Sequence, residues 1–234
     1  MESFWQGLVQ AVQLLLSGDR EVFQVTLLTI KISGLATVIS VVLGLPIGLW
    51  LALKEFPGKR IFISLVNFGM GLPPVVAGLV ISIMLWRYGP LGMLGLMYTP
   101  WAMMAAQSLI ATPIVAGLSF AAISGLNPNL RLQLLSLGAN SWQTNRLLIR
   151  EARLGLLAAV MAGFGGVVSE VGASMMVGGN IKGETRVLTT ATVMEVGKGN
   201  YDTAMALSFI LLAVTYTVVA LLTALQNSGK RETG

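Results

Sequence analysis

The sequence contains neither cysteine nor histidine, and it has few charged residues. The lack of cysteine excludes disulfides and thiolate metal sites, and the lack of both excludes cysteine nucleophiles and any triad with an imidazole base. A phosphate-binding loop needs Gly-Lys followed by Ser or Thr, and Gly197-Lys198-Gly199 lacks that hydroxyl. We therefore predict no catalytic residue, no metal site and no cofactor in this chain.

The sequence has a low content of charged residues and several long apolar segments. Charged residues make up 11% of the 234 residues, against about 25% in soluble domains, and hydrophobic residues make up 55%. Five segments are long enough to cross a bilayer, which takes about 20 apolar residues. They lie near 25–53, 61–86, 101–123, 154–178 and 203–226. We predict an all-α polytopic membrane protein with five transmembrane helices.

The segments that flank the spans differ from them in composition. Three glutamines interrupt the apolar residues of 1–23, which favours an external interfacial helix over a span. A cleaved signal peptide is disfavoured because no Lys or Arg precedes the apolar residues. We predict a membrane domain over 24–226 and a cytoplasmic tail over 227–234.

Lys and Arg are unequally distributed between the two ends of the spans. Segments 54–60 and 124–153 and the tail hold three, four and two of them, nine in total, against five on the other side. Cytoplasmic loops carry the excess of Lys and Arg, so the N-terminus is predicted outside and the C-terminus inside. The net charge of +5 could also indicate nucleic-acid binding, but the residues form no single patch, and we predict no such partner.

Two opposite charges, Lys31 and Glu170, lie inside predicted spans. A charge at mid-bilayer costs about 2.5–3.5 kcal/mol on insertion scales, so it marks function or pairing. At 1.5 Å per residue they lie about 9 Å and about 12 Å from the outer ends of spans one and four, which allows an ion pair. The alternative is that Lys31 snorkels to the outer surface. Glu170 is interpreted as structural.

Prolines interrupt the spans, and hydroxyl groups follow span four. Pro73-Pro74 frees backbone carbonyls that need partners from other helices or from water, which favours a bundle around a pathway. Hydroxyls and amides can hold a polar solute weakly enough to release it. Such donors near the outer end of span four are Ser174, Asn180, Thr185, Thr189, Thr190 and Thr192. The alternative is that they only cap the loop and the helix that follows.

The longest polar connection follows span three. Asn127 before Pro128 predicts a helix cap with a first-turn proline, and Gly138 predicts the end of that helix. A second helix, capped by Asn140 or Ser141, then leads into span four. Such a helix pair is either a docking device or an ordinary connector, and composition does not separate the two.

The run Leu137-Gly138-Ala139-Asn140-Ser141-Trp142-Gln143-Thr144 resembles the core of the EAA loop of ABC-importer permeases. In that family the loop is cytoplasmic and docks into a cleft of the ATPase. Leu-Gln-Leu stands here where the family has Glu-Ala-Ala, so the resemblance does not carry over the ionic contact of that glutamate. It implies an ATPase-coupling loop that includes Leu132, Gln133, Leu134, Gly138 and Ala139.

Other stretches resemble permeases for molybdate, tungstate and sulfate. These are Leu72-Pro73-Pro74-Val75-Val76-Ala77-Gly78, Gly89-Pro90-Leu91-Gly92, Ser169-Glu170-Val171-Gly172-Ala173-Ser174 and Gly179-Asn180-Ile181-Lys182-Gly183-Glu184-Thr185-Arg186-Val187-Leu188-Thr189-Thr190. The last run is most like tungstate-type permeases, and the resemblance covers residues 24–225.

This resemblance implies a type I importer permease domain over 24–226, in the inner membrane of a prokaryotic cell and in contact with lipid. It also implies a homodimer that works with two ATP-binding cassette ATPase subunits and an external substrate-binding protein. On this interpretation the translocation pathway or its gate includes Pro73, Pro74, Ser174, Asn180 and Thr185. The hydroxyls and amides after span four would hold a dianion weakly enough to release it, whereas the bare carboxylate of Glu170 would repel it.

Three other functions compete with tungstate import. A molybdate or sulfate permease would differ mainly in the size of its anion. An ATP-independent secondary transporter often shows internal repeats, and the sequence contains no convincing one. A membrane-embedded hydrolase would need chemistry that the sequence lacks, since it has no His, no Cys and no paired intramembrane carboxylates.

Overall fold

The computed structural model describes residue 9, residues 11–13 and residues 18–228. Within this part of the chain every regular element is a helix, as predicted. The predicted interfacial helix over 1–23 and the predicted tail over 227–234 lie mostly outside the described residues. Both therefore stay predictions.

The α-helices are numbered in chain order from Arg20. They are α1 (Arg20–Leu53), α2 (Lys59–Met70), α3 (Pro74–Leu85), α4 (Pro100–Ser124), α5 (Pro128–Ser136), α6 (Ser141–Glu151), α7 (Arg153–Val168), α8 (Gly172–Gly178), α9 (Leu188–Gly197) and α10 (Tyr201–Ser228). A short 3-10 helix, Gly92–Leu94, lies between α3 and α4.

Three helices, α1, α4 and α10, are long and apolar enough to cross a membrane without a break. α1 has 34 residues and α4 has 25, so at about 1.5 Å per residue each exceeds the ~30 Å hydrocarbon core. Asp19 caps α1, because its Oδ1 accepts hydrogen bonds from the N–H groups of Glu21 and Val22, each at 2.9 Å. The helix therefore begins before the predicted residue 25.

The second and fourth predicted spans are bent pairs of helices. α2 and α3 meet at 99°, and α7 and α8 meet at 56°. Pro74 lacks an N–H and opens the first turn of α3, which accounts for the first bend. The five predicted spans thus correspond to three continuous helices and two bent pairs, and α9 is a short helix that was not predicted.

The central helix of the bundle is α4, which packs closely against α1. A β-carbon on Gly44 of α1 would lie 2.8 Å from the carbonyl oxygen of Thr112, so only glycine allows the two backbones to approach this closely. Ile32 and Met103 are fully buried in one apolar core, to which α3 and α8 contribute Ala77 and Ala173. This core holds both bent pairs against the central helix.

Candidate functional site

The bends in the two broken spans lie next to each other. α3 packs against α8, so the second halves of the two bent pairs are in contact. A β-carbon on Gly172, the first residue of α8, would lie 3.2 Å from a methyl group of Val75 near the start of α3. Pro73 and Pro74 therefore lie beside the break that precedes α8.

Glu170 lies in the break between α7 and α8, and its side chain accepts a hydrogen bond from the backbone at the start of α8. The carboxylate is buried, and Oε1 accepts a hydrogen bond at 2.8 Å from the N–H of Ala173, in the first turn of α8. Its backbone carbonyl accepts a second hydrogen bond, at 3.2 Å, from the hydroxyl of Thr189. First-turn N–H groups have no partner inside their helix, so this carboxylate stabilises the start of α8.

The predicted ion pair between Lys31 and Glu170 does not form in this structure. Among the described residues no ion pair within 4.0 Å includes either of them. Lys31 instead lies on an exposed face of α1 and lines a cavity with Lys182 and Arg186. A similar predicted depth says how far two residues lie from the membrane surface but not the direction in which each side chain leaves its helix.

Ser174 is directed toward the central helix. Its Oγ accepts a hydrogen bond at 3.1 Å from Nε2 of Gln107 in α4, and both side chains are buried. The Oε1 atom of Gln107 has no partner in the part of the chain that the structure describes. The sequence analysis did not identify Gln107, because a single glutamine in an apolar helix gives no signal of its partner.

Asn180 and Thr185 shape the loop between α8 and α9. The fully buried hydroxyl of Thr185 donates to the carbonyl of Gly178 at 2.5 Å and accepts from the N–H of Ile181 at 2.9 Å. Asn180 has a left-handed backbone, with φ of 52°, and its carbonyl accepts a hydrogen bond from Arg186 at 3.4 Å. Both residues thus hold the fold of the loop.

The other predicted anion donors also bond to nearby backbone. The Thr190 hydroxyl donates to the carbonyl of Val187 at 3.1 Å, and the Thr192 hydroxyl donates to that of Leu188 at 2.8 Å. These contacts match the alternative given above, in which the hydroxyls cap the loop and the helix after it. The hydroxyls of Thr185, Thr189, Thr190 and Thr192 all have backbone acceptors, so they do not present free donors to an anion.

The helix pair α5–α6, between α4 and α7, forms as predicted. Asn127 caps α5 through a 2.9 Å hydrogen bond from the N–H of Asn129. Gly138 follows α5 with φ of +84°, a conformation that favours glycine. Asn140 and Gln143 form a reciprocal capping box at the start of α6, with both hydrogen bonds at 2.9 Å.

This helix pair exposes apolar side chains on a basic surface. Leu137 is 84% exposed, and the exposed ring of Trp142 lies 5.4 Å from the guanidinium carbon of Arg146. An open groove of ≈ 940 Å³ runs along these residues. Of the predicted coupling residues, Leu132, Gln133 and Gly138 are exposed, and Leu134 and Ala139 are half-buried. The surface can therefore receive an apolar partner face with acidic groups at its rim.

Comparisons with known proteins agree on one class of membrane protein. The model of the family described as "Binding-protein-dependent transport system inner membrane component" matches residues 44–231. The tungstate uptake system permease protein TupB of Peptoclostridium acidaminophilum is 38% identical, over 97% of this chain and 100% of that protein. A probable anion ABC transporter permease protein of Haloferax volcanii is 40% identical, over 84% of this chain and 87% of its own.

More distant relatives and solved structures are also similar to this chain. The sulfate transport system permease protein CysW of Synechocystis sp. is 29% identical, over 94% of this chain and 81% of that protein. The inward-facing MetNI methionine ABC transporter gives a TM-score of 0.72 at 21% identity, over 93% of this chain and 98% of the chain compared. At that identity the solved structure shows a shared fold only.

Proposed function

The chain belongs to the family of binding-protein-dependent transport system inner membrane components, and on this premise we propose that it is the permease subunit of an ATP-driven tungstate importer. The observation that carries the proposal is 38% identity to a tungstate uptake permease along 97% of this chain. Members of this family are permease subunits of the inner membrane and not enzymes. ATP hydrolysis is therefore assigned to a separate ATPase chain.

The ATPase would dock on the α5–α6 helix pair. Exposed leucines and Trp142 offer apolar contact area, and the left-handed turn at Gly138 fixes the angle between the two helices. Arg146 and Arg150 line the groove beside this apolar surface, and Arg131 lies on α5. Glu151 is the only acidic residue from 128 to 151. The expected cleft on the ATPase is thus apolar with acidic groups, which replaces the contact that a glutamate makes in the EAA pattern.

The pathway would run between two copies of the chain. One chain of at most five spans is small for enclosing a pathway, and a two-fold pair places the pathway at the interface. The proposed gate is the pair of adjacent bends at Pro73-Pro74 and Glu170. Ser174, Asn180 and Thr185 would support the gate from behind. Ser174 bonds to Gln107, Asn180 accepts a hydrogen bond from the side chain of Arg186, and Thr185 bonds to the backbone carbonyl of Gly178.

Nucleotide-driven closure of the ATPases would draw the two α5–α6 pairs together. α6 leads directly into α7, the first half of a bent span, so its displacement reaches the break at Glu170. α8 and α3 are packed together and would move as one unit against the central helix. The expected result is an outward opening that accepts the anion, and ATP hydrolysis would reset it.

The test is tungsten accumulation in cells that lack this chain, measured by mass spectrometry at low external tungstate. Loss of accumulation on deletion, with recovery from a plasmid copy, is the expected result. Accumulation that persists after deletion, in a strain with no second tungstate importer, would contradict the proposal.

Molybdate and sulfate are the second candidate substrates. The sulfate permease CysW of Synechocystis sp. is 29% identical over 94% of this chain. Tetrahedral dianions differ mainly in size, so the same cells are supplied with each anion in turn. Loss of molybdenum or sulfur uptake on deletion, with tungsten uptake unchanged, would move the assignment to that anion.

A further inference from the structure

A cavity of ≈ 370 Å³ lies between the first half of α1 and the loop before α9, and its polar lining is mostly basic. Lys31 and Glu21 come from α1, and Lys182 and Arg186 come from the loop. None of the groups considered above as anion donors lines it. We propose that this cavity, called the basic cavity below, is a receiving site for a tetrahedral oxyanion, and that Glu21 occupies it when the anion is absent.

Glu21 holds the two loop cations with its two oxygen atoms. Oε2 lies 2.5 Å from Nζ of Lys182, and Oε1 lies 3.3 Å from Nη1 of Arg186. A tetrahedral oxyanion can present two of its oxygens in the same way, because ammonium and guanidinium groups bind phosphate-like oxygens as they bind carboxylates. The Glu21 carboxylate thus occupies the position that two oxygens of the oxyanion would take.

The charge in the basic cavity matches a dianion. Three cations, Lys31, Lys182 and Arg186, face one carboxylate, Glu21, so the lining carries three positive charges minus one, a net charge of +2. Lys31 is exposed and forms no ion pair among the described residues. The Nε atom of Arg186 is buried and also lacks a partner in the described part of the chain. The positive charge of Lys31 therefore remains unused for a ligand.

Two other carboxylates beside Arg186, those of Asp19 and Glu195, have partners of their own. Asp19 accepts hydrogen bonds from two backbone N–H groups at the start of α1. Glu195 accepts from Lys198 and from Asn200, each at 2.8 Å, and these bonds hold the pKa of Glu195 below its ordinary value. Neither carboxylate lines the basic cavity. The charge of Glu21 is therefore the one that an anion has to displace.

The ion pair between Glu21 and Lys182 is weak, because the Glu21 side chain is 46% exposed and that of Lys182 is 66% exposed, and water screens pairs of this exposure. The Arg186 side chain is 16% exposed, so its pair with Glu21 is screened less, and an oxyanion replaces that pair with a contact of the same kind. A dianion carries twice the charge of the carboxylate and can also reach Lys31. Weak and reversible capture suits a transporter, which has to release what it binds. The inference rests on the proposed function, since it assigns the place where the permease first meets its anion.

The experiment measures tungstate binding to the assembled permease–ATPase complex in nanodiscs of neutral lipid, by equilibrium dialysis at low ionic strength. Lys31→Gln should weaken binding about fivefold or more, and Glu21→Gln should tighten it by a similar factor. Arg87→Gln is the matched control, because it also removes one positive charge and Arg87 is exposed and does not line the basic cavity. Glu21→Gln with unchanged or weaker binding, in a complex of unchanged melting temperature, would overturn the inference.

A lipid phosphate shares the chemistry of a free oxyanion, so a second arm uses nanodiscs that contain phosphatidylglycerol. Tungstate binding that depends on Lys31 in neutral lipid supports the receiving site. Phosphatidylglycerol retention that depends on Lys31, with no tungstate binding in neutral lipid, would overturn it in favour of a headgroup site. ATP-driven tungstate uptake that Lys31→Gln leaves unchanged would also overturn the receiving site, while leaving the proposed function intact.

Discussion

Gly78 of α3 and Ala173 of α8 touch at backbone distance: a β-carbon on Gly78 would lie 2.7 Å from the α-carbon of Ala173. A backbone atom cannot rotate out of the way as a side chain can. The second halves of the two bent spans therefore pack together only because residue 78 is glycine. This contact makes one mechanical unit of two segments that are 95 residues apart in sequence.

We predict that Gly78→Ala separates α3 from α8 and lowers the stability of the folded protein. Overpacking of a close contact typically costs about 1–3 kcal/mol. Thermal unfolding in detergent, followed by circular dichroism, measures the loss. Gly165→Ala is the matched control, because Gly165 lies in α7, the first half of the bent pair that contains α8, and no atom outside its own helix lies within 4 Å of the added methyl group. Equal melting temperatures for the two variants would contradict the close contact.

Glu170 and Lys31 should act independently on stability. Glu170→Ala leaves the N–H of Ala173 without its buried acceptor, at a cost of about 1–3 kcal/mol, whereas Glu170→Gln keeps an acceptor oxygen and should lose less. Lys31→Met should leave the melting temperature nearly unchanged. The effects in the double variant should add, as they do for separate sites. Recovery of stability in the double variant would instead indicate an ion pair.

Thr185→Val should destabilise the loop between α8 and α9. The substitution keeps the shape of the side chain, but it leaves the carbonyl of Gly178 and the N–H of Ile181 without their hydroxyl partner. Each unpaired buried group costs about 1–3 kcal/mol. Faster proteolysis within 179–187 would report the loosened loop. The Thr185→Ser variant keeps the hydroxyl and should be cleaved at the wild-type rate. Equally fast cleavage of the two variants would refute a role for the hydroxyl.

Gly138→Arg should uncouple the permease from its ATPase without preventing insertion. No atom lies within 4 Å of a β-carbon at this position, so the arginine would project onto the proposed docking surface. Gly138→Asn is the control, because asparagine tolerates the left-handed backbone and adds no charge. ATP hydrolysis by the complex, with and without loaded binding protein, is the measurement. Normal stimulation in the arginine variant would show that coupling occurs elsewhere.

Local signals in the sequence predicted much of this fold. The cap at Asn127, the stop at Gly138 and the cap at Asn140 each depend on residues within a few positions of one another, and all three are present. Pro73-Pro74 likewise marks a disruption of span two where α3 begins. Such signals suffice when the chain conformation is decided by nearest neighbours.

The same local reasoning did not predict contacts between residues far apart in the sequence. Glu21 pairs with Lys182 and Arg186 across 161 and 165 residues, and no local pattern marks that pairing. The bend after Val168 lacks a proline. The carboxylate of Glu170 stabilises the start of α8 after this bend, whereas depth alone had predicted an ion pair with Lys31. Depth is a one-dimensional measure, whereas contact between helices also depends on the rotation of each about its axis.

The most direct test of the central claim is tungstate uptake into proteoliposomes that contain the purified permease and its cognate ATPase. ATP and Mg²⁺ are enclosed in the lumen, and tungstate with its binding protein is supplied outside. The account predicts accumulation only when permease, functional ATPase, binding protein and ATP are all present. Equal accumulation with an ATPase that cannot hydrolyse ATP would contradict it, because the chain would then transport without an ATP-driven partner.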